Sequence, residues 1–239
     1  RIYQTAHQLL ARRAGGWPLT VFLSPEDQTP FFAGTYFPPQ PRHGLPSFRD
    51  LLRHIAQAYN DQGTAIAEQN QAVREALAKI DSTPPSDDEP DPGVLDATVD
   101  ELAGQFDATH GGFGGAPKFP HPTTLRFLLR HGHRRGHREA VHMACHTLDK
   151  MANGGIHDHL AGGFCRYSVD AQWMIPHFEK MLYDNGQLLA LYAEAWQASG
   201  QRPLYRHACE RIADWLMSEM QLPDGGYCSS LDADSEGVE

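Results

Sequence analysis

Apolar residues in the C-terminal part of the chain recur at intervals of three and four residues, in blocks separated by glycine-rich segments. This spacing predicts amphipathic helices. The first begins at Asp91-Pro92, because proline is favoured at the first position of a helix. The apolar positions of the predicted helices are Leu95, Val99, Leu102 and Phe106; Val141, Ala144, Leu148 and Met151; Leu188, Leu189, Tyr192 and Trp196; and Leu204, Ala208, Ile212 and Trp215. No run here has the pattern of a strand in a large sheet, so we expect helical hairpins arranged as a toroid or solenoid.

The segments between these helices share a Gly-Gly-apolar motif. Its four copies are Gly111-Gly112-Phe113, Gly154-Gly155-Ile156, Gly162-Gly163-Phe164 and Gly225-Gly226-Tyr227. The first two copies start 43 residues apart, which is about the length of a helical hairpin with its loops. In a toroid such loops gather at one end, and we expect a pocket there.

The N-terminal part has a different pattern, in which helices flank two short apolar runs. The turn residues Ser24-Pro25-Glu26-Asp27 separate the runs, which therefore predict a β-hairpin. Ser47 is expected to cap a following helix. The predicted elements are a helix over 2–13, strands over 19–23 and 29–36, a helix after Ser47 with Phe48 to Tyr59 on it, and a helix that carries Ile66 to Ile80.

A segment rich in proline and acid separates the two parts. Residues 81–93, DSTPPSDDEPDPG, hold four prolines and five acidic residues and have nothing to bury. Such a composition predicts an extended, solvated linker. We therefore expect a domain over residues 1–80, a linker over 81–93 and a helical domain over 94–239.

The charge and the cysteines exclude several classes of function. A net charge of −10 disfavours nucleic acid and anionic membranes as partners, and no apolar run reaches the roughly 18 residues of a membrane helix. The four cysteines are far apart and form no C-x-x-C pair, which disfavours a zinc ribbon or a dithiol centre. Their sparse use fits a reducing compartment, so we expect a cytoplasmic protein. The chain starts at Arg1 inside a predicted helix, which indicates a fragment.

The segment over residues 154–187 concentrates the candidate chemistry. His157 and His159 flank Asp158 on one loop. Three interpretations are open: general acid–base catalysis, two metal ligands, or histidines that order the loop by hydrogen bonds to backbone carbonyls. Imidazole titrates near neutral pH, which favours proton chemistry over a metal site. We therefore predict no metal and leave any cofactor unassigned.

His177 and Asp184 form the second candidate pair. If a helix begins near Pro176, the two side chains lie seven residues apart on one helical face, where the carboxylate can orient the imidazole. The alternative for Asp184 is capping of a helix start. Apolar neighbours favour a place for His177 in a pocket wall.

The remaining candidates are expected to hold a ligand. Lys118 lies in a rigid loop between two prolines and can bind an anionic group, or it can be an exposed loop charge. Asp232 and Asp234 belong to an acidic loop that serves as acid and base, resembles a calcium loop without its full pattern, or is solvated. The other predicted substrate-binding residues are His157, Arg166, Tyr167, Trp173, Glu179 and Lys180.

Four motifs together resemble the YyaL family of thioredoxin-domain proteins. They are GGWPLTVFLSPEDQTPFFAGTYFPP (residues 15–39), GGFGGAPKFPHP (111–122), PHFEKMLYDN (176–185) and SSLDADSEG (229–237). The resemblance implies a mostly α protein. Its N-terminal part is the C-terminal half of a thioredoxin-like α/β fold. A partial (α/α) toroid follows, like that of N-acylglucosamine 2-epimerases and six-hairpin glycosidases.

The resemblance also implies a function of one of two kinds. The first is a sugar-directed isomerase, epimerase-like, or a glycosidase-like hydrolase, in which His159 and His177 act as acid and base. Asp158 and Asp184 then set the histidine tautomers, and Arg166 and Lys118 hold the sugar. The second is a non-catalytic or thiol-redox-linked module that acts on a protein partner. For that module the family implies a structural cis-proline at Pro18 and a cysteine pair upstream of this chain.

Overall fold

The computed structural model of the chain describes residues 2–13, 15–42, 44–81, 89 and 91–234. Most of the predicted linker (82–88 and 90) and the end of the last motif (235–237) lie outside these residues. The chain forms two compact units, Arg1–Glu89 and Pro90–Glu239. Among the described residues, no helix has the length and apolar character needed to cross a lipid bilayer.

The first unit packs helices against a two-stranded hairpin. Its elements are α1 (Ile2–Ala11), β1 (Thr20–Leu23), β2 (Pro30–Gly34), α2 (Phe48–Asp61) and α3 (Gly63–Asp81). The strands pair antiparallel, as predicted, with Thr20 opposite Gly34. Ser47 caps α2, because its hydroxyl accepts a hydrogen bond from the Asp50 N–H at 3.1 Å. The Trp17–Pro18 peptide bond is cis.

The second unit consists of helices in two layers. They are α4 (Gly93–Gln105), α5 (Pro122–Arg135), α6 (Arg138–Asn153), α7 (Leu182–Ala198) and α8 (Pro203–Trp215), and a π-helical turn (Leu216–Met220) continues α8. Helix α6 contacts α4 and α8 in one layer, and α5 contacts α7 in the other. The hairpins α5–α6 and α7–α8 connect the layers. The apolar residues between them, including Leu125, Leu148, Leu188 and Ile212, are fully buried.

Long and short connections alternate in this unit. The turns α5–α6 and α7–α8 are short, whereas the segments after α4, α6 and α8 are long. Because helices within a hairpin are antiparallel, the long segments share one end of the unit. We call residues 106–121, 154–181 and 221–234 the loop end. Hydrogen bonds connect these segments. Trp173 Nε1 donates to the His110 carbonyl at 2.8 Å, and the N–H of Leu182, which follows the second segment, donates to the Ser229 carbonyl at 2.9 Å.

Two helices differ from the sequence-based expectation. Helix α5 was not predicted, because its apolar side chains are confined to residues 125–129 and the rest of the helix is mostly polar. Helix α7 begins at Leu182 rather than near Pro176. The intervening residues are not helical and have a bend at Phe178, and β3 (Lys180–Met181) pairs with β4 (Ser230–Leu231). The seven-residue helical spacing between His177 and Asp184 therefore does not apply.

Loops 1 and 2 at the loop end repeat one backbone structure, and loop 3 is a related loop that is one residue shorter. An antiparallel bridge closes each: Phe106–Phe113 in loop 1, His157–Phe164 in loop 2 and Gln221–Tyr227 in loop 3. Gly111 therefore corresponds to Gly162, 51 residues later, and Gly162 to Gly225, 63 residues later. The spacing of 43 residues from Gly111 to Gly154 is therefore not the repeat between equivalent loops, because Gly154 precedes loop 2 and is not part of it.

Packing explains the glycine pairs in loops 1 and 2. Gly112 and Gly163 have φ of +78° and +75°, in the left-handed region that side chains avoid. A Cβ on Gly112 would lie 2.7 Å from the Trp173 ring, and one on Gly163 would lie 2.8 Å from the Trp215 ring. Each loop is thus pressed against a buried indole, which leaves no room for a side chain.

Candidate functional site at the loop end

An irregular β-ladder organises the loop end. Ser168 pairs with Lys118 on one side and with Pro176 on the other, and further along Lys180 pairs with Leu231. The His177 N–H donates to the Tyr167 carbonyl at 3.0 Å. The ladder therefore brings four segments, distant in the sequence, side by side.

The buried side chain of Lys118 holds loop 1 by hydrogen bonds. Its side chain is 0% exposed, and Nζ donates to Asp107 Oδ2 at 2.6 Å, the Gly111 carbonyl at 2.8 Å and the Ala171 carbonyl at 2.9 Å. All three ammonium protons have acceptors, and the charge lies 5.6 Å from the centre of the Trp173 ring. We call this arrangement of lysine, aspartate, glycine carbonyl and tryptophan a clamp.

Loop 2 has the same clamp. Lys180 Nζ donates to Asp158 Oδ2 at 2.7 Å and to the Gly162 carbonyl at 2.8 Å, and it lies 5.3 Å from the Trp215 ring centre. The other oxygen of Asp158 accepts the N–H groups of Leu160 and Ala161. Loop 3 has Leu222 directly after its bridge residue Gln221, where loops 1 and 2 have an aspartate.

The clamps change the acidity of their aspartates. Burial alone would raise the pKa of Asp158, but the hydrogen bond and charge of Lys180 and two backbone N–H groups lower it to about 2 overall. The same balance lowers the pKa of Asp107 to about 2.

The clamps reassign four residues that the sequence suggested as ligand-binding or catalytic. The side chains of Lys118 and Lys180 are directed into the protein, where the ammonium of Lys118 has three acceptors and that of Lys180 has two. Trp173 is fully buried beneath loop 1, and Asp158 is paired with Lys180. They hold the loops, because a buried ammonium must keep its acceptors.

His157 is a packing residue of loop 2. Its ring stacks on Phe164, with centroids 4.6 Å apart, and Nδ1 lies 3.0 Å from the Ala152 carbonyl. Phe106 occupies the same place in loop 1, against Phe113. Burial lowers the pKa of His157 to about 4, so the ring is neutral at neutral pH.

The side chain of His159 also forms a hydrogen bond with the backbone. Its Nε2 lies 3.0 Å from the Gly154 carbonyl, and its ring meets that of His157 edge-on. Of the three interpretations for this loop, hydrogen bonding to backbone carbonyls fits both histidines. Among the described residues, no group of three or more side chains has the geometry to hold a metal ion.

His177 belongs to an aromatic stack on the ladder. Its ring lies on that of Tyr167, with centroids 4.7 Å apart and planes 22° apart. Tyr167 in turn packs on Phe119 at 4.8 Å. Phe119 is 39% exposed, so the stack reaches the surface of the loop end.

A group of charged residues lies on the same ladder. Arg166 Nη1 donates to Glu179 Oε2 at 2.8 Å, and the Arg166 N–H donates to the Glu179 carbonyl. Asp184, in the first turn of α7, is half-buried. Burial raises the pKa of Asp184; the charge of Arg166 opposes this rise and that of Glu179 adds to it. The carboxyl of Asp184 thus holds a proton to a higher pH than an ordinary aspartate.

Asp232 and Asp234 follow β4 and are exposed. Leu231 pairs with Lys180, so the ladder register places Asp232 beside Glu179. Asp232 Oδ1 accepts the Ala233 N–H at 2.7 Å, as in a solvated turn.

Two residues of this region were missed from the sequence. Phe119 extends the aromatic stack, and Asp107 completes the first clamp. Asp107 was detectable, because the spacing D-x-x-x-G-G-F occurs identically at Asp107 and Asp158. Phe119 was not detectable from the sequence, because only the pairing of Lys118 with Ser168 places it beside Tyr167.

Comparison with known proteins identifies relatives of the whole chain. Residues 1–78 match the family Thioredox_DsbH, described as a protein of unknown function, DUF255. The chain is 39% identical over 98% of its length to spermatogenesis-associated protein 20 of Homo sapiens. It is 37% identical over 92% of its length to uncharacterized protein B0495.5 of Caenorhabditis elegans. The chain belongs to this thioredoxin-domain family. It spans about 30% of the length of each of these two relatives.

Solved structures share the fold of this family's helical part. A sugar epimerase from a ruminal bacterium matches 56% of the chain and 37% of its own, with a TM-score of 0.50 and 18% identity. Cellobiose 2-epimerase from Spirochaeta thermophila matches 60% of the chain and 41% of its own, with a TM-score of 0.47 and 23% identity. The helices described above, together with the first of these two matches, show that the chain is mostly helical, with an (α/α) toroid arrangement after its thioredoxin-like part.

The second clamp can be tested by single and double replacement. Asp158→Leu leaves a buried ammonium unpaired and should lower the free energy of unfolding by about 3 kcal/mol or more. Asp158→Leu/Lys180→Met should cost less than the sum of the single changes, because loop 3 has Leu222 at this position. Denaturant unfolding followed by tryptophan fluorescence measures this. Replacing the exposed pair Arg206–Glu210 by glutamines is the control and should change stability by under about 1 kcal/mol. Additive costs at Asp158 and Lys180 would contradict the clamp.

The clamp also predicts acid sensitivity. Asp158 has a pKa of about 2 in the fold, below its ordinary value of about 3.9. Its ionised form therefore stabilises the fold above about pH 4, and this stabilisation is lost as the pH falls towards about 2. The melting temperature of Asp158→Leu/Lys180→Met should therefore depend less on pH over that range than that of the unaltered chain. An identical profile would show that Asp158 does not contribute.

His157→Phe tests the packing role of His157. The variant should unfold within about 1 kcal/mol of the unaltered chain, because phenylalanine fills the same position in loop 1. It should also remove acid sensitivity between about pH 6.5 and about pH 4, where protonation of an unfolded histidine favours unfolding. His157→Ala is the comparison and should cost about 3 kcal/mol through the cavity it creates. Severe destabilisation by phenylalanine would mean that the imidazole itself is required.

Proposed function

We propose that the loop end binds a sugar-like ligand and supports acid–base chemistry of the isomerase or hydrolase type. The observation that carries the proposal is the grouping of His177, Arg166 and Glu179 on one ladder beside an exposed aromatic stack, with Asp184 close to Arg166 and Glu179 in the first turn of α7. His177 and Asp184 are the proposed proton carriers.

The chemistry of these side chains suits a sugar. An aromatic face packs against the C–H face of a pyranose, and Phe119 and Tyr167 supply stacked rings next to His177. General acid–base catalysis needs one group that accepts a proton and another that donates it at the working pH. Asp184, whose pKa is raised by burial, is suited to donate, and His177 supplies the proposed proton acceptor.

The proposed set is smaller than the sequence suggested. His159 and Asp158 have structural partners in loop 2, so the proposal assigns proton transfer to His177 and Asp184 alone. Arg166 and Glu179 are the proposed hydrogen-bonding groups for sugar hydroxyls. The fold is that of a protein named a sugar epimerase, which supports a sugar site without specifying its reaction.

Calorimetry with a panel of hexoses and amino sugars tests the proposal. His177→Gln and Asp184→Asn should each weaken binding by about tenfold, the effect of losing one good polar contact. His133→Gln is the control, because His133 is exposed in the last turn of α5, away from the loop end. Absence of binding at millimolar sugar, or equal effects of all three variants, would contradict the proposed site.

A thiol partner for the first unit is a second candidate function. The match of residues 1–78 to a thioredoxin-like family favours it, and so does Trp17, whose indole is 81% exposed. Exposed tryptophan is typical of protein contact sites. In a longer form that carries the family's upstream cysteine pair, a mixed-disulfide trap should capture a defined protein. Trp17→Ala should reduce the yield at least about threefold, since a hot-spot tryptophan contributes over about 1 kcal/mol. Unchanged capture would remove Trp17 from the contact.

A further inference from the structure

We infer, on the basis of the proposed sugar site, that its ligand is an uncharged sugar and that Glu179 excludes phosphorylated and acidic sugars. The inference rests on how the cations of the loop end are used. Over its three described segments the sequence supplies Lys118, Arg166 and Lys180, and each is bound to a carboxylate at 2.6–2.8 Å.

Two of these cations are unavailable because they are buried. Lys118 and Lys180 each donate to an aspartate and to a glycine carbonyl inside a clamp. Moving either to a ligand would leave an aspartate and a carbonyl without their donor. A phosphate group at the loop end therefore forms no hydrogen bond with either lysine.

Arg166 is the cation that an anionic sugar would use, and Glu179 occupies it. The guanidinium is the side chain best suited to bind phosphate or carboxylate with paired hydrogen bonds. Here its Nη1 donates to Glu179 Oε2 at 2.8 Å, so a carboxylate of the protein already neutralises the charge that an anionic ligand would use. Sugar hydroxyls, in contrast, can donate to Glu179 while the ion pair stays intact.

Carboxylates outnumber cations around this pair. Two further carboxyl groups lie in this region. Asp170 accepts hydrogen bonds from the N–H groups of Gln172 and Ile175, and Asp184 lies in the first turn of α7. The helix cations next in sequence to these segments are Arg126, which is paired with Glu194, Lys150, which precedes Gly154, and Arg211, which donates to the Leu160 carbonyl. The acidic residues over 106–121, 154–184 and 221–234 are Asp107, Asp158, Asp170, Glu179, Asp184, Asp224, Asp232 and Asp234. An anionic ligand therefore meets a repulsive field.

Aromatic side chains are exposed at the loop end. Phe119 is 39% exposed and Tyr183 is 51% exposed, and Tyr183 lies close enough to Arg166 to interact with its charge. Such rings bind the C–H faces of an uncharged sugar and offer no compensation for a phosphate.

Paired ligands that differ only in charge test the inference. Glucose and mannose are compared with their 6-phosphates by calorimetry on the whole chain, at low and at high salt. The uncharged sugar should bind at least about tenfold more tightly than its phosphate at low salt, and the difference should shrink as salt screens the field.

Glu179→Gln is the deciding variant, because it frees Arg166 without removing it. Binding of the 6-phosphates should then improve by about tenfold relative to the uncharged sugars. Glu194→Gln is the matched control: it changes the net charge equally and frees Arg126 and Arg130 of α5 instead. Its ratio of phosphate to uncharged binding should stay that of the unaltered chain.

The outcomes separate this inference from the proposed function. Tighter binding of the 6-phosphates by the unaltered chain would overturn the inference and leave a sugar site in place. An equal shift in Glu179→Gln and Glu194→Gln would show that net charge, and not Glu179, sets the preference. If neither uncharged nor phosphorylated sugars bind, the proposed function itself fails.

Discussion

The structure of the helical unit depends on two buried ammonium groups. A lysine removed from water keeps its charge only if every proton finds an acceptor, and Lys118 meets this demand with Asp107 and two carbonyl groups. Lys180 repeats the arrangement with Asp158 and Gly162. Each lysine also belongs to the β-ladder through its backbone, so one residue connects a loop, the ladder and a buried indole. Pairing at the loop end follows from that connection.

This constraint determines which side chains remain for a ligand. In a strand, consecutive side chains point to opposite faces. Because the side chain of Lys180 is held in the interior, that of Glu179 is placed on the other face, where it binds Arg166. The cations that hold the loop end are thereby withdrawn from its surface. Aromatic rings, an imidazole and carboxyl groups are what the surface offers, and this chemistry underlies the proposed preference for an uncharged sugar.

Much of the architecture could be predicted from local patterns. Helical spacing predicted α4, α6, α7 and α8, and turn residues predicted the hairpin, because these signals depend on neighbours within a few residues. Four long motifs led to the family, which the relatives confirm. The candidate site was harder. Titratable residues concentrate over 154–187, as expected, yet His157 packs like Phe106 and Asp158 pairs with a lysine 22 residues away. Residue type alone does not distinguish a catalytic histidine from a stacked one.

By itself the sequence determined four of the helices, the β-hairpin and the kinship of the chain, since each depends on composition or on short-range order. Tertiary structure decided the rest. Only the pairing of Ser168 with Lys118 and Pro176 shows that Phe119, Tyr167 and His177 stack. Only the clamps show that two lysines are structural. The physical reason is that burial and charge pairing are properties of neighbours in space, and the ladder makes neighbours of segments that the chain keeps far apart.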